Sequence, residues 1–444
     1  MALSLTEESV DELAKTGPGW LAKHRLGSFA KFNGMPLESS ELFKKHVNID
    51  LDIGEFALKK NGFPAELGFI LGSGVTFIQP SGMLMNNDLP SGVVLTDMMK
   101  AVRNHEGIVR KYFSEPETKL EALNESFFGS GYFLYVPDNT VIDKPIRILT
   151  TPGLGGSALF TKNVAVLGKN CSARIVEEFY SPEMERSLAS SVTSIHAGEG
   201  SHASMGCIQS LGSGVLFTLK RKVILEKDAH LTSSSGFFGG AATLSRFDSV
   251  MKDGASSEDY EVVFGSSAQR YDITSNIIHR GMNTNGKVVI KGVFDGASSG
   301  IFKGMIDISR DAKYANAYLS EHSMLLGKEA KADAIPGLEI SNNEVKATHS
   351  ASVAQINEDE MFYLMARGLG SEQAKKLIVL GFFDPLFRQV PSGHVKLLLR
   401  GLLEIKWERK ELFEIREVME RILHESAAEE TSSKDIFERH YKYR

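Results

Sequence analysis

The chain has 444 residues, 42% of them apolar and 24% charged, with a formal net charge of −6. This is the balance of a soluble globular protein with room for two or three domains, and it excludes a nucleic-acid binder that works through overall basicity. Two cysteines, Cys171 and Cys207, with no Cys-x-x-Cys pair, exclude a four-thiolate metal site within one chain and fit the reducing cytoplasm. The first ten residues carry acids and no apolar core, so they do not read as a signal peptide, and no apolar run approaches the roughly 20 residues that span a bilayer. A cytoplasmic protein with no membrane partner is expected.

In chain order, Thr6-Glu7-Glu8 opens a helix with an N-cap and first-turn acids, and Gly17-Pro18-Gly19 closes it. A second helix runs from Trp20 to about Phe32, with Trp20, Leu21, Leu26 and Phe29 available for a buried face. Short apolar strands alternate with Gly and Pro from Phe56 to Leu95. A helical stretch from Leu95 to Phe113 then leads into another from Leu120 to Phe128. Residues 1–118 read as a mixed α+β region.

From Tyr132-Phe133-Leu134-Tyr135-Val136 onward the apolar pattern has period two, and a small-residue mark keeps returning. Lys227-Asp228-Ala229 recurs as Lys252-Asp253-Gly254-Ala255, Ser266-Ser267-Ala268, Asp295-Gly296-Ala297, Arg310-Asp311-Ala312 and Lys328-Glu329-Ala330. Ala203, Ala229 and Ala255 are spaced by 26 residues, and the later steps are 13, 29, 15 and 18, as if half turns mix with full ones. So short a unit cannot bury an apolar face alone and must stack on its neighbours. The reading is a mainly β protein whose core, residues 119–358, is a β-helix or related stacked-strand solenoid. A β-sandwich with regularly spaced turns competes on periodicity alone.

After Asp359 the pattern turns helical, in segments Glu360–Leu369 and Ser371–Leu380, the latter ended by Gly381, with further helical patterns from Val395 to Ile422. Residues 359–444 are therefore expected to form a C-terminal helical domain that covers the last strand edges of the solenoid. The segment from Ser426 to Ser433 is polar and small, as in a mobile tail.

Three stretches carry a resemblance. Trp20-Leu21 with Arg25, Phe29, Phe32 and Pro36 is similar to the N-terminal helix of the SufB/SufD family of the SUF iron–sulfur cluster assembly system. Tyr132 to Pro137, followed by Asp143-Lys144-Pro145-Ile146, resembles that family's entry into its β-helix. The most specific match runs from Pro336-Gly337-Leu338-Glu339-Ile340 through Thr348-His349 and Met361-Phe362-Tyr363-Leu364 to Arg367-Gly368 and Gly381-Phe382. There the family has a cysteine where this chain has Ala347, so the resemblance is to SufD more than to the SufB scaffold.

The resemblance implies a non-catalytic scaffold subunit that pairs with a SufB-type protein and docks a SufC-type ABC ATPase through its C-terminal helices. It also implies a role in iron entry and cluster assembly. A homodimer is expected when the chain is alone, because the last strands of a solenoid, near Val345 to Val353, leave backbone groups that a second solenoid can pair. No stably bound cofactor is expected, only transient iron or an iron–sulfur cluster at the interface with SufB. His349 is the candidate ligand, since imidazole suits a borderline ferrous ion, and Glu339 is a weaker candidate equally suited to a salt bridge. Arg367, Phe382, Phe383, Leu386 and Phe387, an exposed-looking cluster around Gly381, are the candidate ATPase contacts. His230, His279 and Cys207 read as corner or packing residues, and Cys171 as an exposed corner thiol.

The chain lacks a phosphate-binding Gly-x-x-x-x-Gly-Lys-Ser/Thr loop, so ATP hydrolysis belongs to another chain. No carboxylate pair recurs at one strand position, as a β-helical lyase or hydrolase acting on carbohydrate would need. That enzyme is the alternative of another class, and a purely structural adaptor is the third reading.

Overall fold

The computed structural model describes residues 3–37, 45–46, 51–59, 68, 71, 74–153, 155–182 and 185–408. The helical patterns beyond residue 408 and the tail from Ser426 to Ser433 lie outside the described residues. The N-terminal region comprises β1 (Leu3–Ser4), α1 (Glu7–Ala14), α2 (Gly19–Gly34), β2 (Ala57–Leu58), β3 (Thr76–Gln79), β4 (Met83–Met85), β5 (Val94–Asp97), α3 (Met98–Asn104), α4 (Glu106–Val109) and α5 (Lys119–Phe127). Thr6 caps α1 by accepting from the Ser9 amide. The stretch from Leu95 to Phe113 is not continuously helical: Leu95 sits in a strand paired with Leu134, and Asp97 caps α3 through the amides of Met99 and Lys100.

The stacked strands are β6 (Tyr132–Val136), β7 (Ile146–Thr150), β8 (Ser157–Leu167), β9 (Ser172–Tyr180), β10 (Ser187–Ala197), β11 (His202–Ser210), β12 (Val215–Leu225), β13 (His230–Phe237), β14 (Ala242–Met251), β15 (Ser256–Gly265), β16 (Arg270–His279), β17 (Asn285–Phe294), β18 (Ser299–Ile308), β19 (Asn316–Leu325), β20 (Lys331–Ile340) and β21 (Lys346–Gln355). Even-numbered strands build a first sheet and odd-numbered strands a second, each strand pairing in parallel with the next of its kind. The protein is thus a two-sheet β-solenoid of about eight turns. Register partners lie between 26 residues apart (His230 with Ser256) and 32 apart (Ser299 with Lys331).

The six small-residue marks all fall at corners between strands. Ala203 does not: it lies inside β11, paired with Leu231, so the regular 26-residue step holds only from Ala229 to Ala255. At the corner leading from the first sheet to the second, one residue per turn takes a left-handed backbone. These are Asn139, Asn170, Gly200, Asp228, Gly254, Asn283 and Tyr314. Their amides form a ladder, each donating to the next turn: Gly200 to Lys227 O at 2.9 Å, Asp228 to Asp253 O at 2.8 Å, Gly254 to Met282 O at 2.8 Å. Asn, Asp and Gly tolerate this conformation, which explains their return in the marks.

Three apolar clusters organise the molecule. One fills the solenoid between its sheets, a second lies between the first sheet's outer face and the N-terminal helices, and the third lies between the second sheet's outer face and the C-terminal helices. Arg25 pins α2 to the end of α5, donating to Ser126 O at 3.0 Å and Phe128 O at 2.7 Å. On the other face, Arg147 donates to both Glu178 oxygens at 2.6 and 2.8 Å. Burial pushes that carboxyl up, but Arg147 and His394 beside it hold it down at about 2.

The C-terminal helices are α6 (Glu358–Ala366), α7 (Ser371–Phe387) and α8 (Gly393–Glu408). They do not cover the last strand edges, as expected from the sequence, but lie along the flank of the second sheet. Gly381 does not end α7, which continues through it and Pro385. The cause is the stripe Val379, Phe383, Leu386/Phe387 and Val390, spaced like one helix face and buried against Tyr260, Val262 and Val289. Phe383, Leu386 and Phe387 are therefore core residues rather than an exposed cluster, and Phe382 is half-buried with the Lys291 ammonium 4.7 Å from its ring centroid.

Phe383→Ala should lower the unfolding free energy by about 3–5 kcal/mol, whereas Phe362→Ala on α6 should change it by less than about 0.5 kcal/mol. Denaturant unfolding of both variants measures the difference.

Candidate functional site

A solenoid has two ends. At the first, antiparallel strands terminate the stacking: β4 against β3 in the second sheet, and β1 and β5 against β2 and β6 in the first. At the other end, among the described residues, β20 and β21 each have a neighbour on one side only. Register carries the inward columns of the core straight into solvent there. Leu338 lies over Ile306, Ile340 over Ile308, and Val353 over Ser323. The lower residues are buried, but Leu338, Ile340 and Val353 are 39%, 42% and 42% exposed. This is an open mouth rimmed by apolar side chains, with two strand edges beside it.

His349 belongs to this mouth. It is exposed, and it continues the inward column Asp259, Val288, Leu319. Glu339 is on the other face of β20, in register with Asp307, whose carboxylate accepts from Arg280 at 2.9 Å. Its charge raises the Arg280 pKa along with Asp307. The structure does not bring Glu339 and His349 together; Glu339 sits in a surface ion patch.

A third acid was missed in the sequence. Glu321 lies on β19 directly beneath Ala351 of the mouth and is fully buried. Neither of its oxygens makes a hydrogen bond, and burial pushes the carboxyl up to about 8, an approach by the Ile335 backbone only partly offsetting it. The alternation Ala317, Leu319, Glu321, Ser323 was the available signal, since it puts an acid in an inward slot.

Deeper inside, Asp259 and Glu261 are a carboxylate pair one strand step apart, but both are buried, with Arg221 Nη2 3.5 Å from Glu261. Burial raises both carboxyls. Sealed between the sheets, they offer no groove to a carbohydrate. Cys207 is buried, its thiol pushed up to about 12. Cys171 is buried as well, contrary to expectation, with its Sγ 2.8 Å from Pro137 O, because its corner folds under the preceding turn. His279 is a buried packing residue bonded to Thr284 Oγ1 at 2.7 Å, while His230 is exposed at a corner and stacks on His202 at 4.8 Å. Among the described residues, no group of three or more His, Cys, Asp or Glu converges as a metal site, and no helix is long and apolar enough to cross a membrane.

The second exposed apolar surface is α6, which has no buried residue. Phe362, Tyr363 and Met365 are exposed, as is Leu377 on α7. Arg367 caps α6 and lays its guanidinium 4.9 Å from the Tyr363 ring centroid. Of the candidate ATPase contacts, then, Arg367 is at the surface and the Phe383 group is not.

Two family models match the chain. The SufBD core domain of SUF-system FeS cluster assembly covers residues 149–382, and the SufBD N-terminal region covers residues 76–148. The chain belongs to the SufBD family. Among characterised relatives, it is 30% identical to the iron–sulfur cluster assembly protein SufD of Bacillus subtilis over 74% of this chain and 77% of that one. It is 26% identical to an iron–sulfur cluster assembly SufBD family protein of Staphylococcus saprophyticus over 88% and 90%, and equally so to one of Staphylococcus epidermidis. The core-domain match spans the strands from β8, the open mouth, α6 and most of α7. A SufD-like member with Ala347 at the mouth has no thiolate to offer there.

A raised carboxyl makes a signed prediction. Folded Glu321 keeps its proton to about pH 8, whereas the unfolded chain loses it near the ordinary value of 4.5. Stability is thus highest below the unfolded value and falls as pH rises toward 8. Between pH 5 and 8 the wild type should lose roughly 3 kcal/mol that Glu321→Gln does not lose. Denaturant unfolding across that range checks the slope.

Proposed function

We propose that this chain is a non-catalytic, SufD-type subunit of an iron–sulfur cluster assembly scaffold. Its mouth pairs with a second solenoid, a SufB-type chain in the working complex and a second copy when alone. The observation that carries the reading is the open end itself. Inward core columns finish in exposed Leu338, Ile340 and Val353 beside two unpaired edges, an arrangement that a monomer leaves uncovered. β20 carries Pro336, which lacks an amide donor, while β21 from Lys346 to Gln355 has no proline, so strand addition is favoured along β21.

The α6 surface supports docking of a SufC-type ABC ATPase. It keeps Phe362, Tyr363 and Met365 in solvent beside Arg367, which is the composition of an interface centre. His349 offers an imidazole nitrogen at the mating surface, where iron or a nascent cluster is the cargo.

Two measurements test the reading. Light scattering of the lone chain at micromolar concentration should give a dimer, and Ile340→Asp with Val353→Asp should give a folded monomer; a wild-type monomer would refute the pairing. Phe362→Ala with Tyr363→Ala should weaken co-purification of the ATPase at least about tenfold while leaving the melting temperature unchanged. Undiminished capture would remove α6 as the docking surface.

A further inference from the structure

The mouth contains one group that its role as a mating surface does not require. Glu321 is fully buried one strand below the rim, and neither carboxylate oxygen makes a well-formed hydrogen bond, the Ile335 backbone approaching it only loosely. An unpaired buried acid is unfavourable for folding, and an apolar residue of similar size would be more stable in that slot. Its surroundings are shaped to admit it rather than to satisfy it. Gly304 across the interior leaves space for both Leu319 and Glu321, since a Cβ there would stand 2.6 Å from Leu319 Cδ1 and 3.0 Å from Glu321 Oε1. Above it, the register partner toward the mouth is Ala351, a small side chain that leaves the path to the rim nearly open.

His349 is two residues from Ala351 on the same strand and on the same face. Glu321 and His349 are therefore diagonal neighbours on adjacent strands, with Cα atoms about 7–8 Å apart. That separation lets a three-carbon carboxylate arm and an imidazole meet at one ion. We propose that Glu321 is a second cation ligand of this mouth, rising past Ala351 to share a divalent ion of the ferrous class with His349. This rests on the reading of His349 as a ligand at the paired mouth.

The chemistry is consistent with a cargo site. A hard carboxylate oxygen and a borderline imidazole nitrogen together make a mixed donor set of the kind that suits a ferrous ion. One mouth supplies two donors, so a single chain does not complete a site, in keeping with the lack of any three-residue cluster among the described residues. Two mouths face to face supply four. When no ion is present the acid rests beneath Ala351.

The test uses the full-length dimer and Co2+ as the probe, with its visible absorption reporting nitrogen and oxygen ligation. Wild type should take up one Co2+ per dimer. Glu321→Gln should bind at least about tenfold more weakly, while unfolding at no lower denaturant concentration than wild type. Ala351→Leu, which closes the path without removing a ligand, should weaken binding similarly. His349→Ala should also weaken it. If His349→Ala loses the ion while Glu321→Gln and Ala351→Leu bind as wild type, Glu321 is only a trapped neutral acid; the inference fails and the reading of His349 stands. If neither His349→Ala nor Glu321→Gln changes binding, or wild type shows no saturable uptake, both fail.

Discussion

The constraint on which the structure depends is the hydrogen-bonded stacking of one turn on the next. Each strand pairs in parallel with the strand one turn away, and each corner amide from Asn139 to Tyr314 donates to the following turn. Such a stack is quasi-one-dimensional: a turn is stabilised by its neighbours and by little else. It follows that the sides and the ends pose different problems. The sides present side chains, which helices can cover. The ends present backbone groups and the cross-section of the core.

The chain covers its sides. On the first sheet Arg25, buried and bonded to two carbonyls, locks the N-terminal helices together. On the second, the Arg147–Glu178 pair and the stripe from Val379 to Val390 hold α7 and α8 in place. One end is closed by short antiparallel strands, which cannot continue a parallel ladder. The other is left open although helical chain follows immediately after β21. That chain turns away to the flank and leaves Phe362 and Tyr363 in water. Two surfaces of one polypeptide thus stay apolar and exposed beside sides that are well covered.

Much of this was legible in the sequence, for a local reason. Corner residues need a left-handed backbone or a tight turn, and that need shows directly as Asp-Gly-Ala or Lys-Asp-Ala. Strand alternation shows in the same way. What the sequence did not disclose was which apolar surface meets which. Phe383, Leu386 and Phe387 look alike whether they face solvent or a sheet; the discriminating sign was their helical spacing with Val379 and Val390, which also carries α7 through Gly381. The exposure of Cys171 was misjudged because a corner in a stack is covered by the next corner. Of the site, His349 was found by resemblance, and Glu339 was set beside it only by nearness in sequence. Strand pairing separates them, placing one in the mouth and the other by Asp307 on the outer face.

The same pairing explains why Glu321 escaped notice. In sequence it is one acid among many, 28 residues before His349 (349−321) and in no motif. Only the register of β19 with β21 makes the two neighbours. In a stacked fold, residues that act together sit in the same or in adjacent columns, and a column samples the chain once per turn. Mostly uncharged columns such as Ile277, Ile306 and Leu338 fill the interior, so a charged residue in an inward slot stands out only once the turn length is known. Here that length varies from 26 to 32 residues, enough to blur any column read by fixed spacing. The corner marks reveal that a stack exists, while the columns that carry its chemistry emerge only when each strand is set against its partner.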